Sequence, residues 1–327
     1  MNHADLLLRN WLPYKLFQQE EQFCCHWLDM GEVRFEEPFF DHTLARMKAL
    51  PRNVKKFKPS GSLSLLPGWA NEMEAVKPAA IIFHLSRCGS TLVTQSLSLD
   101  PANIVLSEVP FFDEILRLPV QYPGTDDKMI DEWISAAVDF YGQKRSGEEK
   151  RLFIKTDCWH IFFYERLRKL FPGIPFVLLY RTPDEVLQSQ QKRHGMQAVP
   201  GMIEPELMGM DRNSIDYTDF DGYFSQVMER ILERFCQVME NDPLTVAVNY
   251  NEGISTIIQK ISSACGIDIT SELKEQMEER SRYHAKYPEA VFVKEKKPVA
   301  IPACLDNAMA WYRALEDKRL LNVLPAE

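Results

Sequence analysis

The chain has no Cys-x-x-Cys pair. Its seven cysteines, at positions 24, 25, 88, 158, 236, 265 and 304, are scattered. That removes support for a zinc ribbon or a thioredoxin-like redox pair. No apolar run approaches the length of a membrane span. Excess positive charge is lacking too: the formal net charge is −9. This disfavours general nucleic-acid binding and leaves any anionic ligand to local basic groups. No repeat or low-complexity tract interrupts the sequence. An odd cysteine count without a signal peptide fits a reducing cytoplasm.

The 327 residues are 45% apolar and 26% charged, in the range of globular proteins and enough to bury a full core. Residues 1–78 read as a small α+β appendage. Within them Leu6-Leu7-Leu8 and Trp11-Leu12 suit a helix cap, Val33 to Phe40 an extended stretch, Thr43 to Leu50 a helix, and Ser60 to Gly68 a strand ending in a Pro-Gly turn. The adjacent Cys24 and Cys25 read as buried thiols.

From residue 79 to 327, strand-like and helix-like segments alternate. That predicts an α/β fold with a central, mostly parallel sheet flanked by helices. Strands are expected at Ala79 to Leu85, Ile104 to Leu106, Leu152 to Ile154, Phe176 to Tyr180 and Leu244 to Val248. Helices are expected at Ser90 to Leu99, Ile130 to Tyr141, Ile161 to Leu170, Phe220 to Met239, Ile254 to Ile261, Ser271 to Tyr283 and Asp306 to Leu321. Gly195 to Tyr217 has no clear period and carries four Met, as binding loops and lids often do.

One stretch organises the rest: Ile81-Ile82-Phe83-His84-Leu85-Ser86-Arg87-Cys88-Gly89-Ser90-Thr91. An apolar strand crosses a short turn into a helix, which aims backbone N–H groups and the helix dipole at one point. Arg87 adds charge, and Ser90 and Thr91 add hydroxyls. A nucleoside-triphosphate loop would carry Lys before its Ser or Thr, and here no Lys is present. Two further strand ends carry ionisable groups, Glu108 after the second and Lys155 at the end of the third. Carboxyl ends of parallel strands border the crevice where such folds bind ligands. Beside a bound anion Glu108 suits a general base. After the fourth strand come Arg181, Thr182, Pro183 and Glu185, which predict an N-cap, a first-turn proline and a capping box. Ser189 falls two turns into that helix.

Ser-Arg-Cys-Gly-Ser-Thr resembles the 5′-phosphosulfate loop of the P-loop sulfotransferases, often Pro-Arg-Ser-Gly-Thr-Thr. Glu108-Val-Pro-Phe-Phe-Asp113 is similar to the segment carrying the catalytic Glu in heparan sulfotransferases, and its place matches the acidic residue of tyrosylprotein sulfotransferases. Lys155-Thr-Asp157 resembles the Lys-Thr-His of cytosolic sulfotransferases, with Asp157 where the basic His stands. Arg181 and Ser189 match an Arg and a Ser eight residues apart that bind the 3′-phosphate. Tyr250-Asn251-Glu252, followed by an Ile-rich helix and Cys265-Gly266, also looks like this family. The resemblance covers residues 79 to 270.

It implies a sulfotransferase using 3′-phosphoadenosine 5′-phosphosulfate (PAPS), releasing adenosine 3′,5′-bisphosphate (PAP) and needing no metal. Arg87, Cys88, Gly89, Ser90, Thr91, Arg181 and Ser189 would bind the donor. Glu108, Lys155, Arg87 and Asp157 would act on the reaction. Glu108 is the first choice of base, Asp157 the second and His160 the third. Lys294, Lys296, Lys297, Arg280 and Arg282 are candidates to close over the 3′-phosphate. The acceptor would be a small molecule, carbohydrate or peptide. The Met-bearing segment, Trp159 and the first 78 residues are candidates to shape its pocket. The alternatives are a P-loop kinase or NTPase and an inactive nucleotide-binding protein of the same fold.

Overall fold

A computed structural model describes residues 8–54, 56–287, 289–291 and 300–321. Its chain contacts gather into two compact units. The first takes in the chain up to Ala80, Thr94–Lys155 and Arg166–Pro172. The second takes in Ile81–Val93, Thr156–Glu165 and the chain from Gly173 onward.

The first unit begins with an antiparallel sheet of β1 (Trp11–Gln19), β2 (Gln22–Asp29) and β3 (Ser60–Ser62). The helix cap expected at Trp11-Leu12 is therefore strand. Glu20 turns the chain with φ +54°, so β1 folds straight back onto β2. The register slips between Pro13 and Lys15, a break that suits a residue with no N–H to give the ladder. Val33 to Phe39 is irregular, and α1 starts at Phe40 (Phe40–Lys48). Pro67-Gly68 lies inside a short helix, Leu66–Ala70, rather than a turn, because Pro is tolerated in a helix's first turn. Cys25 is buried and Cys24 half-buried, and burial pushes the Cys25 thiol up to about 12.

The central sheet has five strands in the order β5-β6-β4-β7-β8. They are β4 (Pro78–His84), β5 (Asn103–Ser107), β6 (Arg151–Lys155), β7 (Phe176–Tyr180) and β8 (Thr245–Asn249). In the first unit β5 pairs parallel with β6, from Asn103 opposite Arg151 to Ser107 opposite Lys155. In the second, β7 pairs parallel with β4 and with β8. Parallel neighbours need crossovers. The chain supplies α2 (Ser90–Leu97), α3 (Pro110–Leu116), α4 (Asp127–Tyr141), α5 (Tyr164–Leu170), α6 (Pro183–Lys192), α7 (Phe220–Asn241), α8 (Ile254–Ala264), α9 (Ser271–Ser281) and α10 (Asp306–Leu321). All five residues of β7 are buried, as a strand covered on both faces requires. The α/β class expected from the alternating pattern is what the chain forms. No helix among the described residues is long and apolar enough to cross a membrane.

Candidate functional site

In the first unit, Glu108 leaves β5 in a left-handed conformation, φ +56°. That region costs an L-residue about 1–2 kcal/mol, and such strain collects at functional sites. The turn is held because Glu108 N–H donates to the Lys155 carbonyl at 2.8 Å, continuing the β5–β6 ladder. Val109 then caps α3, with Pro110 in its first turn. The result sets Glu108 Oε1 2.9 Å from Lys155 Nζ. The Lys155 side chain is 0% exposed, and that of Glu108 is 22% exposed. This contact is close enough for an ion pair but lies outside hydrogen-bond angles. Lys155 Nζ therefore has no hydrogen-bond acceptor among the described residues. The ring of Phe39 lies 5.6 Å from the same ammonium. A buried ammonium with N–H groups to give, beside a partly open carboxylate, can hold an anionic oxygen while the carboxylate takes a proton.

In the second unit, β4 enters the loop through His84 and Leu85. His84 Nε2 lies 3.0 Å from the Thr156 carbonyl, and Nδ1 lies 3.3 Å from Ser90 Oγ. An imidazole giving its Nε2 proton to that carbonyl accepts the Ser90 hydroxyl at Nδ1. The loop then turns through Arg87 (φ +60°) and Gly89 (φ +81°). A Cβ on Gly89 would lie 2.1 Å from the Tyr250 ring, so the backbone rests directly on that tyrosine. Cys88 turns its thiol inward to the Leu179 carbonyl at 3.4 Å and is wholly buried. It therefore offers the loop's outer side only its backbone. Ser90 and Thr91 are buried at the start of α2. The first N–H groups of any helix have no partner within it.

Arg87 Nε donates to Ser189 Oγ at 3.0 Å. Ser189 was expected beside Arg181. Arg181 instead directs Nε and Nη2 onto Glu185, at 3.2 and 3.0 Å, and lies 5.1 Å from the Tyr250 ring centre. Glu185 is 3% exposed. Burial pushes its carboxyl up, but bonds from Arg181, Thr182 and Asn251 outweigh this and hold it at about 2. Thr182 does not cap α6 with its side chain. Its hydroxyl donates to Glu185, so the expected capping box is replaced by a three-donor cage around that carboxylate.

Asp157 lies 3.8 Å from His160 Nε2, and its N–H donates to His160 Nδ1 at 3.3 Å. His160 and Trp159 are buried. Arg280 donates to the carbonyls of Tyr283, His284 and Ala285, closing the end of α9, and Arg282 pairs with Glu279. Lys294, Lys296 and Lys297 lie outside the described residues. In the Met-bearing segment, Met208 and Met210 are buried while Met196 and Met202 are exposed. Three short 3₁₀ turns order it.

Sequence reasoning gave no site role to His84, Glu185 or Tyr250, reading Glu185 only as a capping-box residue. Of these, Glu185 was readable, since it follows Arg181 by four residues across the start of α6.

The chain matches no family model and no curated protein. Among solved structures it is similar to sulfotransferase STF9 from Mycobacterium avium, at 15% identity and TM-score 0.44 over 79% of each chain. Sulfotransferase STF1 from Mycobacterium tuberculosis H37Rv is 13% identical, with TM-score 0.40 over 64% of this chain and 72% of that one. Mouse sulfotransferase SULT7A1, complexed with PAP, is 12% identical, with TM-score 0.37 over 83% and 89%. Similarity at this level leaves the reading of the site to its own residues.

Proposed function

We propose that the chain is a sulfotransferase that moves a sulfuryl group from PAPS to a hydroxyl or amine of a small-molecule, carbohydrate or peptide acceptor. The observation that carries this reading is the Lys155–Glu108 pair: a buried ammonium with no hydrogen-bond acceptor among the described residues, 2.9 Å from a carboxylate held on a strained turn. The loop at Arg87 supports the same reading: it runs from a strand into a helix, as an anion cradle does, and lacks the lysine that triphosphate chemistry needs.

Each residue then has a role. The loop from Arg87 to Thr91 receives the 5′-phosphosulfate. Arg181, whose Nη1 makes no hydrogen bond among the described residues, takes the 3′-phosphate, and Ser189 holds Arg87 in place. Lys155 holds an oxygen of the transferring group, an effect worth about 3–4 kcal/mol for one preorganised donor. Glu108 accepts the acceptor's proton, worth about 10²–10⁴-fold. The bond formed joins the acceptor oxygen or nitrogen to sulfur. The bond broken joins sulfur to the 5′-phosphate oxygen, whose electron pair departs with PAP. Asp157, tied to a buried histidine, remains the second choice of base. The roles need no metal, and a reducing cytoplasm suits the seven free thiols.

Calorimetry with PAP, and separately with ATP and magnesium, tests the donor. Binding of PAP is expected; binding of magnesium ATP alone would favour a kinase or NTPase. A screen of alcohols, phenols, amines, sugars and peptides with radiolabelled donor then identifies the acceptor class. Turnover of none, with PAP bound, would favour an inactive nucleotide-binding protein.

A further inference from the structure

Behind the loop lies a polar cluster that the motif reading does not use. Ser86, Gln190 and Gln197 are 7%, 1% and 6% exposed. Gln190 Nε2 donates to Ser86 Oγ at 3.4 Å, and Gln197 Nε2 donates to the same oxygen. Gln190 Oε1 in turn accepts the Gly195 N–H at 3.0 Å. A Cβ on Gly195 would lie 2.6 Å from the Gln197 amide, so that side chain lies flat against the backbone of its own turn. Three stretches therefore meet on one hydroxyl: the distant loop, α6, and the 3₁₀ turn Met196–Ala198 that opens the Met-bearing segment.

The pairing has a register. Ser86 and Arg87 are neighbours in the loop, and Ser189 and Gln190 are neighbours on α6. Ser189 takes Arg87, and Gln190 takes Ser86. Arg87, held by its own side chain and next in the chain to the bonded Ser86, is the residue at φ +60°. A strained backbone persists only where its surroundings over-determine it, and buried hydrogen-bond networks do this with high specificity.

We infer that Gln197, acting with Gln190 through Ser86, is a positioning residue for the anion loop. Donor affinity thereby depends on the fold of the segment that follows α6. The inference rests on the donor reading above. It goes further by naming residues outside the motif that set the loop's geometry, and by coupling the donor loop to the segment expected to border the acceptor.

The test is a double-mutant cycle read by PAP affinity, on the full chain well below its melting temperature. Gln197→Leu and Ser86→Ala are each expected to weaken PAP about tenfold, the size of a coupling near 1.4 kcal/mol. The double variant should be no weaker than Ser86→Ala alone, because that substitution already removes the contact that Gln197 makes. Ser86→Thr, which keeps the hydroxyl, should bind nearly as the wild type does. A lower melting temperature with PAP affinity unchanged would mean a merely structural role and overturn the inference. So would effects that add in full. Wild-type protein that binds no PAP would overturn the donor reading itself, a result distinct from wild-type binding that the variants leave untouched.

Discussion

Arg87 grips Ser189 twice, with Nε on the hydroxyl at 3.0 Å and Nη2 on the backbone carbonyl at 3.3 Å. Arg87 lies in the loop after β4 and Ser189 on the helix after β7, 102 positions apart in the chain. The sequence pattern put them at opposite ends of one donor; in the second unit they are bonded. A guanidinium positioned in this way needs less ordering when a ligand arrives.

Arg87→Ala is expected to abolish or greatly weaken PAP binding, and so is Arg181→Ala. Ser189→Ala keeps both charges and loses only an orienting bond, so its loss should be the smaller, about 1 kcal/mol or fivefold. Calorimetry with PAP measures all three. Unchanged affinity in both arginine variants would reject the assignment of the donor.

Glu108→Gln keeps the side chain's shape and removes its capacity to take a proton. It should bind PAP as the wild type does and turn over about 10²–10⁴-fold more slowly. Lys155→Ala should slow turnover on a similar scale, from a loss of about 3–4 kcal/mol. Single-turnover rates with saturating donor separate these effects from binding. An active Glu108→Gln beside a dead Asp157→Asn would move the base to Asp157.

The parts of the fold that were legible are those written in local pattern. Phe176 to Tyr180 reads as a strand because a doubly covered strand must be apolar throughout, and β7 has those bounds. Asp306 to Leu321 is likewise recovered end to end. Trp11-Leu12 reads as a helix cap but is strand, because the conformation of β1 is decided by pairing with β2 across a left-handed turn at Glu20. At the site, Glu108 and Lys155 stand out because each ends a strand. The partners that orient site groups do not stand out: Gln190 and Gln197 act through contacts 104 and 111 positions away. Tyr250 meets Gly89 through the fold alone.

That contact makes a sharp prediction. Gly89→Ala faces two separate costs: a Cβ 2.1 Å from the Tyr250 ring, and a φ of +81° that an L-residue resists. The variant should lose PAP affinity and stability together. Adding Tyr250→Ala removes the clash but leaves the backbone cost, so the double variant should remain about 1–2 kcal/mol less stable than Tyr250→Ala alone. Urea unfolding of the four proteins gives the comparison. Full recovery in the double variant would show that the conformation at Gly89 carries no penalty.

Glu185 gives the pH dependence. Its folded carboxyl titrates at about 2, against about 4.3 for an unfolded glutamate. Above the unfolded value both states are ionised and the full contribution is present. As pH falls from there toward 2, the unfolded chain takes up a proton that the folded chain refuses, so stability drops; below 2 the contribution is gone. Glu185→Gln should therefore be less stable than the wild type at pH 7, by about 1.5–3 kcal/mol for lost bonds to a charged group. The difference should shrink steadily between pH 4.5 and pH 3. Arg181 also loses its counter-charge and its orientation, so PAP affinity at pH 7 should change with the same substitution. Urea midpoints at pH 7 and pH 3 decide the matter: a gap that stays constant would mean that the three donors around Glu185 do not favour its ionised form.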